Sequence, residues 1–269
     1  MAQMDLTSGY DSNLAKTEAL IKAAAANHSA LVLLPELFAW EWFPAAESSL
    51  LFDRAEPERG ATLETVRQWA TDNNIIVVAP LYERDGDRRF NTTYVISRAG
   101  HIVGKYRKNH IPYHAGWYEK FYYGPGDLGF PVFHMEGLTI GIQTCWDNLF
   151  PEGSRLLALA GVDVILAPRA TGAHTTGRWR TALTANAQAN GCFVATANRF
   201  GREGGQYEFG GDSFIVSPLG EVLASAPLRD GVVAATVDSA EVALARKEWP
   251  FLSDRRPQLY RRVLREDRS

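Results

Sequence analysis

Apolar and polar positions along the chain switch repeatedly between helical and strand periodicity. Residues 11–30, DSNLAKTEALIKAAAANHSA, repeat small and apolar side chains at helical spacing, with Asp11, Ser12 or Asn13 available as an N-cap. Residues 30–36, ALVLLPE, form a short apolar run that Pro35 interrupts, which predicts a buried strand. The spacing then predicts a helix over 62–74, with Thr62 as its cap, and a strand over 75–84. Asp85–Gly86 marks a tight turn, and 91–108 reads as two strands folded around Ala99–Gly100. A second hairpin spans 130–145 around Glu136–Gly137. Beyond it the pattern predicts a helix at 151–161, a strand at 162–168, a helix at 178–191 and a strand at 192–199. A hairpin at 210–227 turns at Pro218–Gly220, a further strand covers 231–238, and the tail from Ser239 starts helical and becomes charged.

Helices alternating with strands, with hairpins inserted, imply an α/β fold whose mixed sheet, or pair of sheets, is covered by helices. No repeat or linker divides residues 1–269, so a single domain is expected. The stretch from Asn109 to Gly129 lacks either periodicity and is rich in Gly, Pro and aromatic residues. Long irregular segments inside a compact domain are usually functional.

Composition narrows the function classes. Hydrophobic residues make up 46% of the 269 and charged residues 22%, ordinary values for a globular chain. A net charge of −3 gives no footprint for nucleic acid. Two cysteines do not make a disulfide framework and fit a reducing compartment. No apolar run approaches the roughly 18 residues of a membrane span, and MAQMDLTSGYDSN lacks the parts of a secretion signal, so the cytoplasm is the expected location.

One of those cysteines stands out. In IGIQTCWDNLF (140–150) an apolar run stops at Cys145, and Pro151 opens the next helix. A cysteine there sits at the C-terminal edge of a strand, where sites in α/β proteins collect, or it is a buried small hydrophobe. Two other strand-like runs end at ionisable residues, LVLLPE at Glu36 and GKYRK at Lys108. A thiol, a carboxylate and an ammonium form a coherent chemical set. The carboxylate can take the thiol proton, and the ammonium can hold an oxyanion. The spacings of Cys145, Cys192 and the six histidines match no zinc pattern.

Three blocks, LPELF (34–38), YRKNHIP (106–112) and CWDNLFPE (145–152), resemble the catalytic blocks of the nitrilase superfamily of carbon–nitrogen hydrolases. GWYEKFYYGPGDLGFPVF (116–133) and FLSDRRPQLY (251–260) are most similar to the N-carbamoylputrescine amidase branch, and the resemblance runs from about Gln3 to Tyr260. It implies a four-layer α-β-β-α sandwich with two mixed sheets. It assigns Glu36 as general base, Lys108 as transition-state stabiliser, Cys145 as nucleophile and Glu119 as the second glutamate that positions substrate and water. The backbone N–H of Trp146 completes the oxyanion hole, and Tyr113 and His114 are placed in the substrate pocket. No metal or organic cofactor is implied. The implied partners are a small amide or N-carbamoyl substrate and further copies of the chain, with the tail 239–269 and the helix at 155–160 as contacts. The implied pathway is polyamine biosynthesis. A nitrile-cleaving enzyme and a catalytically silent binding protein remain as alternatives.

The chain departs from the branch in two places. Arg169, in APRATG, stands where a small hydroxyl residue is expected. It either pairs with an acid such as Asp147 or Glu152 or binds a substrate carboxylate. HTTGRWR (174–180) also differs, at the distal pocket. The resemblance places a first strand before the position of Gln3, so that strand is expected either to be short or to start upstream of Met1.

Overall fold

The computed structural model describes residues 1–204 and 207–261. Two mixed sheets pack face to face, each covered outside by helices, giving the four-layer α-β-β-α sandwich. The first sheet runs β2 (Leu31–Leu33), β3 (Ile76–Asp85), β4 (Arg88–Ile96) and β5 (Ile102–Arg107), with β2 parallel to β3 and the rest antiparallel. The second follows β12 (Val222–Ser225), β11 (Phe214–Val216), β9 (Phe193–Glu203), β8 (Val164–Arg169), β7 (Leu138–Ile142) and β6 (Val132–Met135). Short strands β1 (Ala2–Asp5), β10 (Tyr207–Gly210) and β13 (Gly231–Val232) attach to its side. Strands β7, β8 and β9 are parallel, so their C-terminal ends lie at one edge.

Strand alternation sorts the side chains into layers. On β8, Val164 and Leu166 face the other sheet, while Ile165 and Ala167 face helices α4 (Pro151–Leu159) and α5 (Thr176–Asn190). On β3, Val78 points between the sheets, and Val77, Ala79 and Leu81 point towards α1 (Tyr10–Ala26) and α2 (Ala61–Asp72). A central parallel strand covered on both faces needs an unbroken apolar run, which is what 164–168 supplies.

Several elements differ from the sequence pattern. Helix α1 begins at Tyr10 with Gly9 as its N-cap, and Asn13 is buried, donating to the Leu6 and Ala39 carbonyls. Gly60, not Thr62, caps α2. The segment 231–238 pairs as a strand only at Gly231–Val232. Strand β9 continues to Glu203 and returns as β10. The long loop folds a short helix α3 (Glu119–Tyr122). The tail forms α6 (Ser239–Glu248) and α7 (Pro257–Tyr260), leaving Leu244, Trp249, Leu259 and Tyr260 exposed. The part of the expected tail contact at 262–269 lies outside the described residues. Among the described residues, no helix is long and apolar enough to cross a membrane.

Candidate active site

Three strand ends and one loop helix deliver ionisable side chains to one buried point. The chain leaves β2, turns sharply and places Glu36 beside Leu37, whose φ of 54° lies in the left-handed region. Lys108 follows the last residue of β5, its backbone N–H bonded to the Asn91 carbonyl and its own carbonyl accepting from Gly126. Glu119 opens α3. Cys145 lies between β7 and a 3-10 turn spanning Cys145–Leu149, with φ of 49°. Positive φ in a non-glycine residue is strained and persists only where its surroundings over-determine it.

Asp147 holds the cysteine turn. Its carboxylate accepts from the Thr144 N–H at 3.1 Å, the Tyr106 hydroxyl at 2.6 Å and the His110 N–H at 2.9 Å. Thr144 and Asp147 form a capping box around Cys145. The His110 ring also bonds Asp147 and stacks on Phe150 at 3.8 Å. These contacts tie the nucleophile turn to the strand that carries Lys108.

The Lys108 ammonium bridges two glutamates. It donates to Glu36 Oε1 at 2.9 Å and to Glu119 Oε2 at 2.6 Å, and all three side chains are completely buried. Asn91 donates to the same Glu36 oxygen at 2.7 Å. The other oxygens, Glu36 Oε2 and Glu119 Oε1, have no protein partner among the described residues. Cys145 is buried in the same group, and its sulfur lies 4.0 Å from the Ala170 carbonyl.

The electrostatics follow from burial. Desolvation pushes the Cys145 thiol well above its usual range; the Glu36 charge adds to this, and Lys108 opposes it. The resting sulfur is therefore a thiol that requires a base. Burial alone would lower the Lys108 pKa, but Glu119 and Glu36 outweigh it and raise it, so the ammonium stays charged. Burial raises Glu119 to about 7, with Lys108 as the main opposing influence. One ammonium between two buried carboxylates thus leaves Glu119 shared between its two protonation states near neutral pH.

Cys145 opens into a cavity of about 70 Å³ lined by His114, Trp117, Trp146, Thr171, His174 and Trp179 among others. A wider outer cavity of about 390 Å³ shares His114, Trp117, Gly172 and His174 with it and adds Tyr207 and Glu208. Of the substrate-binding residues assigned from the sequence, Trp146 and His114 are on this wall, and two are not. The Tyr113 hydroxyl is turned to Glu47 at 2.5 Å, with the residue half exposed. Arg169 is 1% exposed, and its guanidinium is occupied by protein. It donates to Thr196 and Thr171 hydroxyls at 2.9 and 2.6 Å and to the Gly211 and Asp212 carbonyls. Its acid is Asp212 at 3.8 Å, not Asp147 or Glu152. Burial lowers its pKa to about 10, partly offset by Asp212. Arg169 therefore stiffens the wall through Thr171 rather than facing a ligand.

Asn91 belongs to the site and carried no signal in the sequence, while Asp147, Trp117, His174 and Trp179 fall inside the blocks quoted above without being assigned a role in the site. Asn91 sits mid-strand, and Trp179 reads as part of an ordinary helix. HTTGRWR, as an irregular block, pointed to the part of the wall that holds His174 and Trp179.

A buried thiol beside a buried acid and a fixed cation defines the class as a cysteine hydrolase. The chain matches the carbon-nitrogen hydrolase family over residues 1–247 and belongs to it. It is 33% identical to N-carbamoylputrescine amidase of Solanum tuberosum, over 99% of this chain and 94% of that one. It is also 33% identical to the citrullinase of Francisella tularensis, over 99% and 97%. The fold matches a carbon-nitrogen hydrolase of Helicobacter pylori with a TM-score of 0.93, 31% identity and coverage of 98% and 97%. It matches the E41Q amidase of Nesterenkonia sp. AN1 with a TM-score of 0.83, 27% identity and coverage of 97% and 95%; in that structure the acetamide moiety of fluoroacetamide is attached to the active-site cysteine.

Proposed function

We propose that this hydrolase cleaves the ureido C–N bond of an N-carbamoyl amine with a cationic tail, using Cys145 as nucleophile. The observation that carries the reading is the Lys108 ammonium clamped between Glu36 and Glu119 in the group that holds Cys145. Glu36 Oε2 accepts the thiol proton, and the sulfur attacks the carbonyl carbon. Lys108 and the Trp146 N–H, at the open start of a helical turn, hold the oxyanion. The proton returns to the leaving nitrogen, ammonia departs, and a thioester remains. Water, oriented by Glu119 and deprotonated by a carboxylate, attacks that thioester and regenerates the thiol. The released carbamic acid breaks down to carbon dioxide and the amine.

Both N-carbamoylputrescine and citrulline, the substrates named for two relatives, carry a ureido group. The cationic tail is argued from this chain. Among the described residues, no lysine or arginine lines either cavity, and Glu208, an exposed residue 3.7 Å from the Arg202 guanidinium, is the one carboxylate on the outer wall. The Trp117 and Tyr207 rings beside it, 5.7 Å apart, offer faces to a cation.

Ammonia release from N-carbamoylputrescine, citrulline, an N-carbamoyl β-amino acid, an aliphatic amide and a nitrile tests the reading. N-carbamoylputrescine is expected to have the highest kcat/KM, and Glu208→Gln is expected to lower it about tenfold by raising KM. Turnover of the nitrile alone, or of carboxylate-bearing substrates alone, would overturn it. We further propose that exposed Leu156 and Leu159 on α4, with Trp249 in the tail, are contacts between copies of the chain.

A further inference from the structure

Strand β9 sends two consecutive side chains to opposite walls of the site. Asn198 supports the Cys145 cavity, accepting from the Thr171 N–H at 3.1 Å. Arg199, the next residue, turns the other way and is completely buried. One terminal nitrogen, Nη2, donates to the Glu36 carbonyl at 2.6 Å and the Leu37 carbonyl at 3.1 Å. The other, Nη1, donates to the Trp40 carbonyl at 3.3 Å and to Glu203 Oε2 at 2.7 Å. Glu203 is also buried, and the same oxygen accepts the Trp42 N–H at 2.6 Å. The rings of Trp42 and Phe209 lie 5.5 and 5.4 Å from the guanidinium carbon.

These bonds bracket the left-handed Leu37 turn, where a one-residue rotation of the backbone would swing the Glu36 carboxylate away from the thiol. Asn91 and Lys108 grip the carboxylate itself, but neither restrains the backbone that carries it. A planar fork reaches several carbonyls at once, which an ammonium cannot.

We propose that Arg199, locked by Glu203, is a positioning residue that holds the strained turn so that Glu36 meets Cys145. The inference rests on the reading of Glu36 as the base for that thiol. It requires a pair placed on β9, remote in sequence from all three catalytic blocks, to control proton transfer at Cys145.

The test compares wild type with Arg199→Lys, Arg199→Met, Glu203→Gln and Glu36→Gln. Two quantities are read: kcat and KM for ammonia release, and the rate of Cys145 alkylation by iodoacetamide from pH 5 to 10. Arg199→Met is expected to lower kcat about 100-fold with KM within threefold, a kcat effect because only the base is displaced. Its alkylation at neutral pH is expected to slow towards that of Glu36→Gln, because base-assisted removal of the thiol proton is lost even though losing the Glu36 charge eases thiol ionisation. Arg199→Lys should recover about tenfold of the lost kcat by restoring one carbonyl contact. Glu203→Gln, which keeps the arginine, should give an intermediate profile. If Arg199→Met does not fold, Arg199→Lys and Glu203→Gln carry the test. Folded variants of either kind with the wild-type alkylation profile would overturn the proposal. A Glu36→Gln protein with that same wild-type profile would instead overturn the reading of Glu36 on which it rests.

Discussion

Lys108 has more depending on it than any other single residue. Removing its ammonium leaves two buried carboxylates facing each other across its former place. Lys108→Ala should therefore cost about 3–5 kcal/mol in folding free energy as well as turnover, read by denaturant unfolding beside ammonia release. Lys108→Met with unchanged stability would mean the carboxylates are not charged partners. At this scale much of the site was legible. Cys145 ends an apolar run and Lys108 a strand-like one, and polar chemistry at a strand end is visible in one dimension. Glu119 was reached only by resemblance, because a four-residue helix inside an irregular loop has no periodicity. For Arg169 the sequence left an ion pair and a substrate contact both open, for a physical reason. A strand pattern shows that its side chain sits at a strand end, but Asp212 and Gly211 arrive there from β10, an element the pattern did not reveal. Arg169→Thr should accordingly lower Tm by several degrees without creating or abolishing a preference for carboxylate substrates. A complete loss of turnover on such substrates alone would return Arg169 to the pocket.

The elements that matter most are turns. The nucleophile turn is stabilised by one carboxylate, Asp147, that receives donors from Thr144, Tyr106 and His110. Asp147→Ala orphans these buried donors and should cost roughly 3 kcal/mol. It should also lower kcat more than KM, since the thiol rather than the cavity is displaced; steady-state kinetics at full folding read the split. Strand and helix positions were legible because the sandwich buries both faces of its central strands. The β9–β10 return was not, because FGREGGQYEFG mixes charge and glycine in a way that reads as loop. Its paired segments are held by backbone bonds and by packing of Tyr207 and Phe209 against Trp117.

At the scale of the whole molecule, the buried site should leave a signature in stability against pH. Glu119 has a folded pKa raised from 4.5 to about 7, chiefly by burial. Between those values the folded state binds more protons than the unfolded one, so this residue makes stability fall as pH rises. Thermal unfolding from pH 4.5 to 7 should slope less steeply for Glu119→Gln than for wild type, and equal slopes would place the carboxylate in a solvated setting. The stacking of helices on sheets, by contrast, was foreshadowed by the alternation of helical and strand periods. How the sheets face each other was not, because register between distant strands leaves no local mark.

Turnover through this site requires a covalent bond at Cys145. Wild-type enzyme mixed with N-carbamoylputrescine and quenched in acid within the first turnover should be read by intact-protein and peptide mass spectrometry. The mechanism predicts an adduct of substrate mass less ammonia, on the Cys145 peptide, absent in Cys145→Ala. Ammonia release by Cys145→Ala at the wild-type rate, or an adduct on Cys192, would contradict it.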